Sequence, residues 1–270
     1  MAKFDVCLEC FFTDLPYEDR IRKIAALGFD CVEFWHPEGT WNGYSIDENM
    51  PKDAEVLRQV CDETGVTVAG FVLNAWDGLY GGCPVNADDH GKFIDQVHKM
   101  IDFAKKIDCH SAVIMSGTLV DGLTRAQMRQ NMERAFGEAL AIAEKADFTL
   151  LVEPLNTPVD HAGFYLDSTA EAVELVRGFN SASMKMVYDI YHMQIMDGNV
   201  VDTIRENVDI IGQMHVAGVP GRHEPDECEL NYPFIFSKAD EFGYRGRFGL
   251  EYFPTIDSAE SLKRQRVLLE

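Results

Sequence analysis

Apolar and polar positions switch between two periods along this chain, and the switching predicts eight strand–helix units. Short apolar runs rich in Val, Ile, Leu and Phe read as buried strands over 5–12, 31–35, 66–73, 111–115, 149–152, 184–188, 210–214 and 247–250. Between them, apolar residues recur at three- and four-residue spacing. That spacing predicts helices over 17–27, 53–64, 88–107, 124–146, 168–176, 200–207, 232–242 and 258–269. Gly28, Gly65 and Gly243 each follow a helical run and read as stops. Ser168, with Glu171 three residues on, reads as a capping box. The connection over 74–86 is long and rich in Gly, with Trp76 inside it, the profile of a lid or pocket wall.

Eight units in 270 residues, with no composition break and no linker, predict an α/β fold: a single-domain (β/α)8 TIM barrel over residues 1–270. A doubly wound open sheet is the competing arrangement. It would want a glycine-rich phosphate turn after the first strand. Phe11-Phe12-Thr13-Asp14-Leu15-Pro16 supplies none, which also argues against dinucleotide binding.

The strand ends carry the chemistry. Leu150-Leu151-Val152 runs into Glu153 and is stopped by Pro154; Met186-Val187-Tyr188 runs into Asp189. Ile210-Ile211-Gly212-Gln213-Met214 runs into His215, and Phe248-Gly249-Leu250 into Glu251. A charge capping a buried strand is costly unless something pairs with it. One such carboxylate could be answered by a local Arg or Lys, but few basic residues flank these four positions. In a barrel the C-terminal strand ends form the active face, and successive strands lie ~4.8 Å apart. Glu153, Asp189, His215 and Glu251 are therefore expected to converge on one metal ion. Three carboxylates and an imidazole favour a hard or borderline divalent ion, Mn2+ or Mg2+ first; His215 also suits Co2+ or Zn2+. The absence of cysteine from the set argues against a structural zinc.

Two further groups read as substrate-binding: His192, three residues past Asp189, and Arg222, on the loop after His215. A guanidinium above the metal can hold an anionic or hydroxylated substrate. His223 and Glu224 read as loop organisers. Trp35, His36, Trp76 and Ser116 are candidates for the pocket wall. His90, His98 and His110 fall in the third helical region and read as non-chemical.

Charge narrows the partners. The net charge of −21, from 45 acidic and 24 basic residues, opposes nucleic acid and an anionic membrane, and leaves a small molecule held by a local cation. No apolar stretch approaches the ~20 residues of a spanning helix, and the start of the chain has acids where a signal peptide needs an apolar run. Seven cysteines without framework spacing read as free thiols in a reducing cytoplasm. Cys7 and Cys10 form a nominal C-x-x-C, but positions three apart on a strand face opposite sides, so neither a dithiol nor a zinc pair is expected.

Several segments resemble one known family. They are Glu153-Pro154-Leu155-Asn156-Thr157 with Asp160-His161-Ala162-Gly163; Val219-Pro220-Gly221-Arg222-His223-Glu224-Pro225 with Glu229-Leu230-Asn231-Tyr232; and Gly249-Leu250-Glu251-Tyr252. Asp14-Leu15-Pro16-Tyr17 and Gly28-Phe29-Asp30-Cys31-Val32-Glu33-Phe34-Trp35 fit as well, so the likeness spans essentially the whole chain. The chain resembles the xylose-isomerase-like barrels, and within them the hydroxypyruvate isomerase family. The resemblance implies one bound divalent metal, Glu153 and Glu251 doubling as ligands and acid–base groups, and His192 and Arg222 holding substrate. It is compatible with a homo-oligomer of unfixed number. There is one departure: His215 stands where hydroxypyruvate isomerases tend to carry Gln, as is more typical of ketose 3-epimerases.

The expected chemistry is an enediolate isomerisation of hydroxypyruvate or a related short sugar or oxo-acid. The alternative is a ketose 3-epimerase of the D-tagatose or D-psicose kind. A metal-dependent endonuclease and a binding-only barrel are the rivals outside that class. The first is opposed by the net charge and the second by the intact ligand set.

Overall fold

The computed structural model describes residues 2–43 and 45–268. Its main sheet has eight strands, all paired in parallel: β1 (Lys3–Cys7), β2 (Cys31–Phe34), β5 (Thr67–Phe71), β6 (Ser111–Ile114), β7 (Thr149–Val152), β8 (Met184–Asp189), β9 (Ile211–Val216) and β10 (Arg247–Leu250). Their order is β5-β2-β1-β10-β9-β8-β7-β6. The two ends meet through a parallel bridge between Val72 and Val113, with the Leu73 amide donating to the Val113 carbonyl at 2.8 Å. The ring is thereby nearly closed, and the eight-stranded barrel expected from the alternating pattern is the fold. Helices outside and packed side chains inside cover both faces of the main sheet, which is why the strand sequences are nearly continuous apolar runs.

The helices wrap the outside: α1 (Tyr17–Ala26), α2 (Ala54–Thr64), α3 (His90–Lys106), α4 (Arg125–Lys145), α5 (Thr169–Phe179), α7 (Val200–Asn207), α8 (Tyr232–Glu241) and α9 (Ser258–Leu268). Their ends follow local chemistry. Asp53 caps α2 by accepting from the Glu55 and Val56 amides, and Gly65 closes it in the left-handed conformation at φ 74°. Thr124 and Gln127 form a reciprocal capping box on α4. The helix expected to end at 269 is described to Leu268; the remainder of that expectation lies outside the described residues.

Three local expectations are corrected. The first strand ends at Cys7, not Phe12, because the chain turns there and the Cys10 amide donates to the Cys7 carbonyl at 3.2 Å. Cys7 and Cys10 therefore sit across a turn rather than on opposite faces of a strand; both are buried free thiols, as are the other described cysteines except the half-buried Cys228. Ser168 forms no side-chain cap on α5. Glu171 is drawn away by Arg125 Nη2 at 2.7 Å and the Tyr165 hydroxyl at 2.9 Å, charge-assisted bonds that outcompete a neutral cap. Two elements went unforeseen: an antiparallel hairpin of β3 (Thr40–Trp41) and β4 (Ile46–Asp47), and a short helix α6 (Ile190–Met196) directly after β8. Among the described residues, no helix is long and apolar enough to cross a membrane.

Candidate active site

The barrel register delivers the four strand-end residues to one place. Glu153 and Glu251 directly follow β7 and β10, Asp189 is the last residue of β8, and His215 pairs with Asp189 on one side and Gly249 on the other. Each of the four offers a ligand atom within 4.8 Å of the others, and all four are buried. The sequence placed these residues at strand ends, and the structure brings all four together. Unneutralised, three carboxylates held this close would repel strongly in a dry site. Their oxygen-rich donor set and single imidazole fit a divalent cation.

The protein supplies part of the neutralisation. His215 Nδ1 lies 3.0 Å from Glu153 Oε1 and 3.4 Å from Glu251 Oε2. Burial alone would depress the His215 pKa, but Glu33, Glu153 and Glu251 outweigh it and hold the ring well above its ordinary value. Glu251 is the most tightly held acid: Trp35 Nε1 donates to its Oε1 and Arg222 Nη2 to its Oε2, each at 2.6 Å. Burial pushes Glu251 up, yet Arg222, His215 and Trp35 bring it well below the usual carboxylate range. Glu153 has His215 as its one hydrogen-bond partner among the described residues, and burial raises its pKa against that pull. Burial likewise pushes Asp189 up to about 7, with His215 and Arg222 opposing.

His192 enters through α6. Asp189 caps that helix by accepting from the His192 amide at 3.1 Å, so one carboxylate both joins the cluster and orients the next turn. The Asn156 backbone amide donates to His192 Nδ1 at 3.3 Å, which leaves the ring proton on Nε2, 3.5 Å from Asp189 Oδ2. Burial, reinforced by Arg222 and His161, lowers the His192 pKa well below its ordinary value, so the ring is a neutral donor.

Arg222 is buried in a strained turn. Its φ is +58°, a left-handed conformation that costs an L-residue on the order of 1–2 kcal/mol. The turn is fixed by the Arg222 amide donating to Gly218, by the Phe253 amide donating to the Arg222 carbonyl, and by His223 Nδ1 against the Phe253 carbonyl. Glu224 receives Thr255 and Ser261. His223 and Glu224 thus organise the loop, as expected. The Arg222 guanidinium lies 5.4 Å over the Tyr191 ring.

Above the cluster opens a cavity of about 250 Å³. Glu153, His192, Arg222 and Glu251 line its polar side, while Trp35, Trp41, Ile46, Trp76 and Leu155 form much of its apolar wall. The unforeseen hairpin supplies Trp41 and Ile46. Trp35, His36 and Trp76 stand in the wall as expected; Ser116 does not, being buried against Gly117 and the Leu166 amide. A larger hollow of about 340 Å³ near Pro225, Tyr232 and Gln265 contains no cluster residue, so chemistry rather than volume selects the site. His90 and His110 pair with Glu138 and Asp108 on the outside.

Sequence reasoning missed Glu33, Asp5, Gln213 and Asn156, all buried around the site. Glu33 carried a usable signal: it is a carboxylate inside the apolar run Cys31-Val32-Glu33-Phe34. Asn156 and Gln213 are ordinary polar residues in sequence, and only their contacts reveal them.

A family model described as "Xylose isomerase-like TIM barrel" matches residues 21–268. The chain is 32% identical over 260 residues to a protein of Danio rerio named "Putative hydroxypyruvate isomerase", covering 93% of this chain and 90% of that one. It is 30% identical over 264 residues to a "2-oxo-tetronate isomerase" of Cupriavidus necator, covering 97% and 96%. A crystal structure described as "AP endonuclease, family 2 from Brucella melitensis" superposes with a TM-score of 0.87 at 32% identity, covering 97% of each chain.

Proposed function

Since this chain belongs to the xylose isomerase-like TIM barrel family, we propose that it is a metal-dependent isomerase acting on hydroxypyruvate, 2-oxo-tetronate or a related short sugar or oxo-acid. The observation that carries this reading is the convergence of Glu153, Asp189, His215 and Glu251 beneath a cavity that Arg222 and His192 also line. Mn2+ or Mg2+ suits the oxygen-rich donors best, with Co2+ or Zn2+ admitted by His215. The net charge of −21 opposes a nucleic-acid substrate, and the buried free thiols suit a reducing cytoplasm.

A divalent cation, when bound, supplies electrophilic pull on the carbonyl and adjacent hydroxyl of an α-hydroxycarbonyl substrate. The residues then divide the work. Glu153, raised in pKa and held by one hydrogen bond, is the better proton acceptor and removes the proton from the carbon beside the carbonyl. Glu251, clamped by Trp35 and Arg222, stays ionised and keeps its position. His192 offers its Nε2 proton to a substrate oxygen, and Arg222 offers the guanidinium edge that Glu251 does not occupy. Glu153 then returns its proton to the neighbouring carbon, and the ionised Glu251 takes the proton of the substrate hydroxyl and passes it to the former carbonyl oxygen, which completes the isomerisation. The aromatic wall of Trp35, Trp41 and Trp76 excludes water meanwhile.

A second reading, ketose 3-epimerisation, is favoured by His215 in place of the Gln tendency of hydroxypyruvate isomerases. There the proton returns to the opposite face of the same carbon. Incubating a panel of short hydroxy-oxo acids and ketoses with the protein in D2O and following them by NMR separates the two. Isomerised products carrying deuterium support the first reading; inverted ketoses support the second; no turnover of any member with metal supplied sinks both.

A further inference from the structure

Beneath the four strand-end residues lies a second ring of polar side chains in the barrel lumen. Glu33 of β2 places Oε2 3.2 Å from His215 Nε2, on the opposite side of the ring from the cluster. β2 and β9 are separated by β1 and β10 in the sheet, so this contact crosses the lumen. Gln213, two residues before His215, donates Nε2 to Glu33 Oε2 at 2.6 Å and to Asp5 Oδ2 at 2.9 Å. Glu33, Gln213 and Asp5 are all buried.

A separate observation comes from β10. Gly249 pairs with His215, and a Cβ at that position would lie 2.3 Å from Glu33 Oε1 and 2.8 Å from His215 Cδ2. No positive φ calls for glycine here. The residue is small because the Glu33–His215 contact fills the space a side chain would need.

We propose that Glu33 is a positioning residue for the metal cluster: it accepts the Nε2 proton of His215 and so keeps Nδ1 turned toward Glu153, Asp189 and Glu251, where it becomes a ligand when a cation takes the place of its proton. Gln213 and Asp5 hold Glu33 in that orientation, and Gly249 keeps the space for it. A histidine ligand whose far nitrogen is anchored to a carboxylate has one tautomer and one ring orientation, and losing such an anchor characteristically weakens metal affinity ~10–100-fold. The inference rests on reading the cluster as a metal site. It reaches beyond that reading in assigning residues that contact neither metal nor substrate.

The test uses the full chain as wild type, Glu33→Ala, Glu33→Gln and Gly249→Ala. Two quantities are measured: Co2+ affinity by titration calorimetry, and the ring 15N signals of His215 with proton exchange in metal-free protein. Glutamine keeps an acceptor oxygen, so Glu33→Gln should stay near wild-type affinity while Glu33→Ala binds ~10–100-fold more weakly. Gly249→Ala should weaken binding too, because its methyl displaces the Glu33 carboxylate; it keeps the test alive if Glu33→Ala does not fold. In the metal-free samples the Nε2 proton should be protected in wild type and Glu33→Gln and exchange freely in Glu33→Ala or Gly249→Ala. Unchanged affinity in Glu33→Ala, or in Gly249→Ala if that is the only folded variant, overturns the proposal. A wild type that binds no Co2+ removes the metal reading instead. The exchange data then decide the positioning role alone, and equal Nε2 protection in every folded variant overturns it.

Discussion

Arg222 Nη2 sits 2.6 Å from Glu251 Oε2, so the residue expected to clamp substrate also anchors a member of the acidic cluster. Its guanidinium plane lies over Tyr191 as well, which ties three elements of the site to one side chain. Arg222→Lys keeps the charge but loses the planar fork and the ring contact. We expect kcat/KM to fall by roughly 1–3 kcal/mol of transition-state binding, the scale of a charge-assisted hydrogen bond. Wild-type kinetics in Arg222→Lys and Arg222→Ala would show the guanidinium to be idle.

The two glutamates differ in how they are held, and their variants should differ accordingly. Glutamine keeps a ligand oxygen but accepts no proton at neutral pH. Glu153→Gln and Glu251→Gln should each lose turnover by ~10²–10⁴-fold. Glu153→Gln should in addition lose deuterium uptake into substrate from D2O. A Glu153→Gln protein that exchanges the substrate proton at the wild-type rate would transfer the abstracting role to Glu251. Normal product without any deuterium in wild type would indicate an internal hydride shift.

Chelation should abolish activity, and Mn2+ or Mg2+ should restore it. Metal content and turnover measured on the same dialysed sample check this. Full activity in a sample stripped of metal is the result that ends the metal assignment.

Metal-free protein should also carry a pH signature from Asp189. Burial first of all raises its folded pKa to about 7, above the ordinary 3.8. A raised acid contributes stability that is complete below the unfolded value and is lost as pH rises through the folded one. In the presence of chelator, Asp189→Asn should therefore gain thermal stability relative to wild type as pH climbs from about 4 to about 7. Parallel melting-temperature curves for the two proteins across that window would contradict it.

Lys52 and Glu9 form a fully buried ion pair at 2.6 Å, and Lys52 Nζ also donates to the carbonyls of His36 and Gly39. The Trp35 amide donates to Glu9 Oε2, so the pair ties the pocket wall to the turn after β1. Lys52→Ala strands a buried carboxylate and should cost about 3–5 kcal/mol in denaturant unfolding. A loss under about 1 kcal/mol would mean that water reaches Glu9, the solvated-pair limit.

Pattern and anomaly were legible in one dimension. The alternation of buried strand and amphipathic helix determined the barrel, because each period reports which faces of a segment are covered. Glu153, Asp189, His215 and Glu251 were legible because a charge ending an apolar run is anomalous without any partner in view. Their convergence then followed from the rule that consecutive barrel strands are neighbours. What only the tertiary structure decided was set by contacts that leave no periodic trace. Glu33 meets His215 across 182 residues of sequence and two intervening strands. Trp35 reaches Glu251 from 216 residues away. The Ser168–Glu171 box, sound as local chemistry, yielded to Arg125 from a preceding helix. Local sequence reports burial and turn geometry. Which buried polar groups satisfy one another depends on the barrel lumen, where low dielectric makes every unpaired donor or acceptor costly and so selects the partner.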